Sequence, residues 1–350
     1  MIVLGIETSC DETSAALVEE TGDVQRPWTT RSNVIASQVP IHREWGGVVP
    51  ELASRQHIRD ICGVVERAFE EGRASWADIG AVAVTQGPGL VGSLLVGVSF
   101  AKAAAAAAGL PLIGVHHLAG HIESLVLQNG ELPVPSVVLV VSGGHTSLYL
   151  VNRPGQYELI GRTRDDAAGE AYDKVAKLLG LGYPGGPVVD RLAAAGDDRA
   201  VALPTTRLTH ADRNAPALKG DLDFSFSGLK TAVLRHVNQR RRTGPLTERE
   251  IADVCASFQR VVVTALVDRT FTAARRHAAA SVGVAGGVSA NSRLRADVEA
   301  YGRSREMPTF VPSLQLSTDN AAMIAAAGLR QLRAGVTSSF GMNAEAGLKL

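Results

Sequence analysis

The feature that most constrains this chain is a pattern that occurs twice. Residues 1–19 run as a short strand, "MIVLGIETS", that ends in a polar turn, "TSCDE", before "DETSAALVE" restarts as a second strand. After "LPVP" the same order returns in "SVVLVVSGGHTSLYLV", where "SGGH" takes the place of the first turn. Two hairpins of one kind, each opening a half of the chain, predict a duplicated architecture. A length of 350 residues agrees, because a single hydrophobic core rarely serves so long a chain.

Between and after the hairpins, helical and strand patterns alternate. Residues 51–71 place Leu52, Ile58, Ile61, Val65 and Phe69 on one predicted helix face. "IGAVAVTQG" reads as a buried strand, followed by "GPGLVGS" and an alanine-rich helix. A helix is expected over 163–181, with an irregular insertion over 197–225. "FSFSGLKTAVLRHV" starts a helix, and "IADVCASFQRVVVTALVDRTFTAARRH" is a long one. "SVGVAGGVSANSRLRADVEAYG" reads as strand, glycine turn and helix start. The last helix is expected in "STDNAAMIAAAGLRQLRAG", capped by Ser317 or Thr318 and ended by Gly335. Alternation of this kind predicts an α/β class with a mixed sheet in each half. The expected division is a first lobe over 1–134, a second over 135–318, and a C-terminal helix and tail over 319–350 that packs back on the first lobe.

Composition removes several classes. Hydrophobic residues make up 45% and charged residues 20%, with a mean hydropathy of +0.09, which argues against disorder. Formal net charge is zero, so no global field advertises a polyanion partner. Local basic runs at 235–242, 274–277 and 303–305 read either as solvated faces or as a patch for an RNA backbone. Cys10, Cys62 and Cys255 are odd in number and widely spaced, which points to a reducing, cytoplasmic setting. The N-terminus lacks the basic region of a signal peptide. Residues 90–115 are apolar enough to span a membrane, but Lys102 lies mid-stretch and "GLP" breaks it, so a helix buried in an α/β fold is expected.

Three motifs could carry chemistry. "SGGH" at 142–145 and "AGGVSAN" at 285–291 follow apolar strands, where glycine lets backbone N–H groups approach an anion. Neither a GxGxxG in a Rossmann setting nor a GxxxxGK[ST] loop is present. His117 and His121, at i and i+4, aim two rings at one point on a helix, as a divalent metal needs; His116 points elsewhere. HxxxH is equally the spacing of a chance pair, and a third ligand would have to come from another segment. HExxH fails, because Leu118 follows His117. Asp11 and Glu12 sit in the first turn, suited to metal binding, nucleophile orientation or proton acceptance, and equally to turn formation. Asp165, Asp166 and Glu170 read as an acidic helix start, whereas Asp173 lies deeper and asks for another role, such as binding ligand hydroxyls.

Taken together, "GIETSCDETSAA", "GGVVPELASRQH", "TQGPGLVGSLLVG", "HHLAGH", "LVVSGGHTSLYLV", "DDAAGEAYDKVAKLLGLGYPGGP", "DFSFSGLKT", "AGGVSAN" and "STDNAAMIA" resemble one family along almost the whole chain. It is the tRNA N6-adenosine threonylcarbamoyltransferase family, TsaD, once called O-sialoglycoprotein endopeptidases. The resemblance implies a two-lobed actin-like, sugar-kinase-like (ASKHA) fold. It implies transfer of the threonylcarbamoyl group from L-threonylcarbamoyl-adenylate to N6 of the adenosine 3′ of the anticodon, in tRNAs that read codons starting with adenine, with release of AMP. It implies one divalent metal ion, iron or zinc, on His117, His121 and Asp319. It also implies a ligand loop over Val140, Val141, Ser142, Gly143 and Gly144, adenylate-binding positions at Asp173, Gly186, Asp190 and Asn291, and acidic residues Asp11 and Glu12 at the mouth of the site. Asp11 is the expected general base or nucleophile orienter. Archaeal and eukaryotic members carry "YVSGGN"; Val140 and His145 stand at those ends here, which resembles the bacterial version. That version implies a shorter, inactive TsaB-like paralogue as dimer partner and a TsaE-like P-loop ATPase. The rival readings are a non-catalytic nucleotide-binding scaffold and a small-molecule kinase or carbamoyltransferase of the same fold.

Overall fold

The computed structural model describes residues 1–205, 208 and 220–350. It divides into two compact units. Met1–Leu132, Arg153–Tyr157 and Pro312–Leu350 form the first, and Pro133–Asn152 with Glu158–Val311 form the second. The irregular segment expected over 197–225 lies partly outside the described residues.

In the first unit, β1 (Ile2–Glu7), β2 (Glu12–Glu20), β3 (Trp28–Ser37), β4 (Ile79–Gly87) and β5 (Leu112–His116) form a sheet in the order β3-β2-β1-β4-β5. The hairpin strands pair antiparallel, Ile6 opposite Ala15, while β4 runs parallel to β1 and β5 to β4. Every residue of β1 is buried, as a central strand covered on both faces requires. The helices of this unit are α1 (Val39–Arg43), α2 (Pro50–Gly72), α3 (Val91–Ala108) and α4 (His117–Asn129), joined by two from the chain's end described below. Among the described residues, α3 is the one helix long and apolar enough to cross a membrane. It buries Ser93, Leu94, Gly97, Val98, Ala101 and Ala105.

The second unit repeats the plan. Strands β6 (Ser136–Val141), β7 (Thr146–Arg153), β8 (Gln156–Arg162), β9 (Ser281–Ala285) and β10 (Thr309–Phe310) lie in the order β10-β9-β6-β7-β8. Again the hairpin pairs antiparallel, with β9 parallel to its first strand. Helices α5 (Ala168–Leu179), α6 (Gly185–Ala193), α7 (Ser227–Arg241), α8 (Glu248–Arg276) and α9 (Ser292–Ser304) surround a core that includes Tyr172, Phe224 and Phe258. Helix α8 is opened by a capping box: Thr247 accepts from the Glu250 N–H at 3.3 Å, and the Glu250 carboxylate accepts from the Thr247 N–H at 2.9 Å. The duplicated α/β architecture expected from the two hairpins is present.

The chain then returns to the first unit through α10 (Leu314–Ser317) and α11 (Ala321–Arg333), and α11 packs on α4, β1 and β2. Gly5 of β1 permits this. A Cβ there would lie 2.3 Å from the Ala321 carbonyl oxygen and 2.8 Å from Ala325 Cβ.

Local expectations are corrected at three places. Helix α2 turns Ala53, His57, Ile61, Val64, Val65 and Ala68 inward, and Ile58 is 64% exposed. The buried face is set by His57, which bonds to Thr13 and to the Cys10 carbonyl, and small residues fill the space beside it. Asp165 and Asp166 precede α5 rather than opening it; its N-cap is Ala167. Asp165 instead accepts from the Phe226 and Ser227 N–H groups and both serine hydroxyls at 225 and 227, tying down the start of α7. Asp166 pairs with Lys174 at 2.6 Å. Finally, Asn320 caps α11 by accepting from the Met323 N–H, and Ser317 ends the separate α10. Nothing in the sequence reading marked α6, whose Gly-Gly-Pro start is a poor helix signal.

Candidate metal centre and ligand sites

The metal candidates all lie in the first unit. Strand β5 ends at His116, and α4 begins with His117. His116 is the N-cap: its Nδ1 accepts from the Leu118 N–H at 3.1 Å and its Nε2 lies 3.1 Å from the Leu348 carbonyl. Burial holds its pKa down to about 4, so it stays neutral and structural. One turn on, His121 lies on the face of His117, with ring centroids 4.7 Å apart at 80°. Asp319, just before the α11 cap, completes the cluster. Its Oδ1 lies 3.6 Å from His117 Nε2 and 3.2 Å from His121 Nε2. One ligand atom from each of the three falls within 4.8 Å of the others.

Two observations test whether these residues suit a metal. His121 is wholly buried; its Nδ1 has no hydrogen-bond partner among the described residues, and its Nε2 meets Asp319 Oδ1 at 3.2 Å. A buried polar atom left so is costly unless a ligand satisfies it. His117 supplies the second. Its Nδ1 donates to Glu7 Oε2 at 3.0 Å, leaving Nε2 directed at Asp319. A carboxylate behind a ligating imidazole fixes its tautomer and raises its basicity. Burial pushes the His117 pKa down, but Asp319 and Glu7 outweigh it and bring it to about 9. For His121 burial wins over Asp319, and the pKa falls. Two imidazoles and a carboxylate with open directions fit iron or zinc.

Glu7 has no exposure. It accepts from the Thr85 hydroxyl at 2.7 Å and from the Ser9 N–H, so its position is fixed from three sides. Sequence reasoning missed it, although an acid inside the otherwise apolar "IVLGIE" was a usable signal.

The first turn carries the acidic pair. Asp11 is 7% exposed and Glu12 opens β2. Burial, then the charges of Asp11 and Asp319, push the Glu12 pKa well up, while Ser37 opposes. Cys10 is raised by burial and the same carboxylates, so its thiol stays protonated. Asp11, Glu12 and Asp319 are thus coupled electrostatically within one unit.

The remaining candidates lie in the second unit. Val140 and Val141 end β6 fully buried. Ser142 starts the turn, accepting from the His145 N–H through its hydroxyl at 3.2 Å and from the Gly169 N–H through its carbonyl at 3.2 Å. Gly143 and Gly144 are exposed, and a Cβ on either would meet nothing within 4 Å. On the side where a side chain would stand, both face open space. Asp173 accepts from the Gly185 N–H at 2.7 Å and so links α5 to the start of α6; Gly186 beside it is open. Asp190 and Asn291 are brought together by residues the sequence did not single out. Gln259 donates to Asp190 Oδ1 at 3.0 Å and accepts from Asn291 Nδ2 at 2.8 Å. Ser292 donates to Asp190 through its hydroxyl at 2.8 Å and its N–H at 3.0 Å. A cavity of about 660 Å³ lies against Asp190, Gln259, Ser292 and Arg293.

Comparisons with known proteins carry the assignment further. The family model described as "tRNA N6-adenosine threonylcarbamoyltransferase" matches residues 29–326. A protein of that name from Koribacter versatilis is 47% identical over 382 residues, spanning 100% of this chain and 99% of the relative. Another, from Anaeromyxobacter dehalogenans strain 2CP-C, is 51% identical over 349 residues, spanning 99% of both. Among solved structures, full-length HypF in its phosphate- and nucleotide-bound form superposes with a TM-score of 0.58 at 13% identity, over 95% of this chain and 46% of that one. The activator of 2-hydroxyisocaproyl-CoA dehydratase from Clostridium difficile, with bound ADPNP, gives 0.50 at 14%, over 97% and 99%. These last two show the fold alone, the actin-like ASKHA class. Full-length identity near one half shows more: the chain belongs to the tRNA N6-adenosine threonylcarbamoyltransferase family.

Proposed function

We propose that this chain transfers the threonylcarbamoyl group of L-threonylcarbamoyl-adenylate to N6 of the adenosine 3′ of the anticodon, releasing AMP. The observation that carries the proposal is the His117–His121–Asp319 cluster, with both histidines buried and His121 Nδ1 without a partner among the described residues, in a chain matched end to end by this family. The reaction is acyl transfer from a mixed carbamic–phosphoric anhydride. AMP leaves readily, but the exocyclic amine of adenine is a weak nucleophile. A catalyst must therefore hold both reactants in line, neutralise charge developing on oxygen, and accept a proton.

Each demand has a candidate. His117, His121 and Asp319 would hold one iron or zinc ion, which when bound supplies Lewis-acid polarisation of oxygen. Glu7 holds His117 in the tautomer that presents Nε2. Asp11 orients the amine and takes its proton, with Glu12 beside it. In the second unit, the backbone N–H groups of Gly143 and Gly144, at the end of the Val140–Gly144 run, suit phosphate or carbonyl oxygens, because no side chain covers them. Asp173, Gly186, Asp190 and Asn291 bind the adenylate's nucleoside part, supported by Gln259 and Ser292. The tRNA is the acceptor, and a TsaB-like paralogue and a TsaE-like P-loop ATPase are the proposed partners.

The test separates binding from chemistry. His121→Ala is expected to lose bound metal and transfer together. Asp11→Ala is expected to retain metal and lose about 100- to 10,000-fold in transfer rate, the usual scale for a general base. An Asp11→Ala protein with the full rate would remove Asp11 from this role. The scaffold reading would be favoured by failure of the native chain to bind metal, and the kinase reading by phosphoryl transfer to a small molecule.

A further inference from the structure

Behind the Asp11 turn lies a buried polar chain that the roles above do not use. His42 and His57 have no exposure and Gln38 only 1%. Four hydrogen bonds connect them. The Val49 N–H donates to His42 Nδ1 at 3.2 Å, and His42 Nε2 lies 3.2 Å from Gln38 Oε1. Gln38 Nε2 lies 3.2 Å from His57 Nδ1, and His57 Nε2 lies 2.9 Å from the Cys10 carbonyl.

The hydrogens have one consistent arrangement. A backbone N–H can only donate, so His42 Nδ1 accepts and its proton is on Nε2. That proton requires the Gln38 oxygen, not its nitrogen, on the His42 side. The Gln38 amide N–H then points at His57, whose Nδ1 must accept, leaving the proton on Nε2 for the Cys10 carbonyl. Thr13, whose hydroxyl lies 2.7 Å from the same Nδ1, must donate as well. Every bond runs in one direction, from Val49 to Cys10. The far end matters for Asp11. The Cys10 carbonyl is held by His57, and the Asp11 carbonyl accepts from the Gln38 backbone N–H at 2.9 Å. The carbonyls on both sides of the Asp11 Cα are therefore held by members of one chain, whose other end is the first residue before α2.

We infer that Gln38, His42 and His57 are positioning residues for the reaction: a directed hydrogen-bond relay from Val49 that sets the backbone of the Cys10–Asp11 turn and, through it, the Asp11 carboxylate. The assignment of Asp11 rests on the proposed function; the relay itself does not.

The test uses the full-length chain labelled with nitrogen-15, and reads histidine ring tautomers by NMR, assigned with His42→Gln and His57→Gln. Both rings are expected neutral with the proton on Nε2; a proton on Nδ1 of either overturns the relay. Gln38→Glu keeps size and the acceptor for His42 but removes the N–H that meets His57. In that variant His57 is expected to gain a proton on Nδ1 while His42 keeps its tautomer; an unchanged His57 overturns the direction of the relay. Turnover is expected to fall on the order of tenfold to a hundredfold with KM and bound metal unchanged, as misplacement of a reacting group would do. Wild-type turnover in a Gln38→Glu protein whose His57 has switched overturns the positioning role. If the native chain transfers no threonylcarbamoyl group, the proposed function fails while the tautomer result still decides the relay.

Discussion

Glu7 shows how a single residue can govern a centre it does not enter. Its carboxylate is buried, bonded to Thr85 and Ser9, and set against His117 Nδ1. Replacing it by Gln keeps the shape but removes the charge that favours His117. Metal affinity of Glu7→Gln is expected to fall about 10–100-fold in a chelator competition, the usual cost of losing such a partner; native affinity would show that Glu7 does not serve the centre. His57 makes a prediction about stability. Burial lowers its pKa, against the Cys10 carbonyl and the charges of Glu7, Asp60 and Asp11. As pH falls through about 6.5 the unfolded chain takes up a proton and the folded chain does not, so stability present above that pH is lost below it, until the lower folded value is passed. Melting temperatures between about pH 8 and pH 5 should fall less steeply in His57→Gln than in the native chain; equal slopes would exclude His57 as a source. At this scale, His117 and His121 were legible from their spacing. Asp319 was not, because it comes from a segment some two hundred residues away that only the fold brings near.

Elements are set by close approach as much as by periodicity. Gly5 lets α11 lie on β1, and a Cβ would press on the Ala321 carbonyl. Gly5→Ala is therefore expected to cost about 1–3 kcal/mol, seen as a lower melting temperature. Gly143 is the contrast. A Cβ there meets nothing within 4 Å, so Gly143→Ala should fold with native stability yet bind the adenylate more weakly, because the added methyl covers backbone at the turn. Equal adenylate affinity in a calorimetric titration would take Gly143 out of the ligand loop. Helix interiors such as α8 could be read from sequence, since their pattern is long. Element ends could not. Asp165 and Asp166 look like helix-start acids, but the first bonds across to Ser225 and Ser227, an interaction with no local signature. The inward face of α2 was misplaced for a related reason: a histidine with internal hydrogen bonds lies inside, and Ile58 faces out.

Across the whole molecule the order β3-β2-β1-β4-β5 is matched by β8-β7-β6-β9-β10, so each hairpin sits beside a parallel strand in the same relation. The hairpins made this duplication visible in the sequence. Strands such as β3 and the two-residue β10 carried too little pattern to show. Chemistry was distributed over the two units in a way that spacing alone could not reveal: two buried imidazoles converging with a carboxylate in one, and a polar network around Asp190 and Asn291 in the other. The central claim is that this chain modifies tRNA by threonylcarbamoyl transfer. The most direct measurement incubates it, with the paralogue and ATPase partners, with threonylcarbamoyl-adenylate and unmodified tRNA, then analyses nucleosides by mass spectrometry. N6-threonylcarbamoyladenosine should form with the native chain and be absent with His117→Ala, His121→Ala or Asp319→Ala. No product from the native chain with all partners present, or undiminished product from the three variants, would contradict the account.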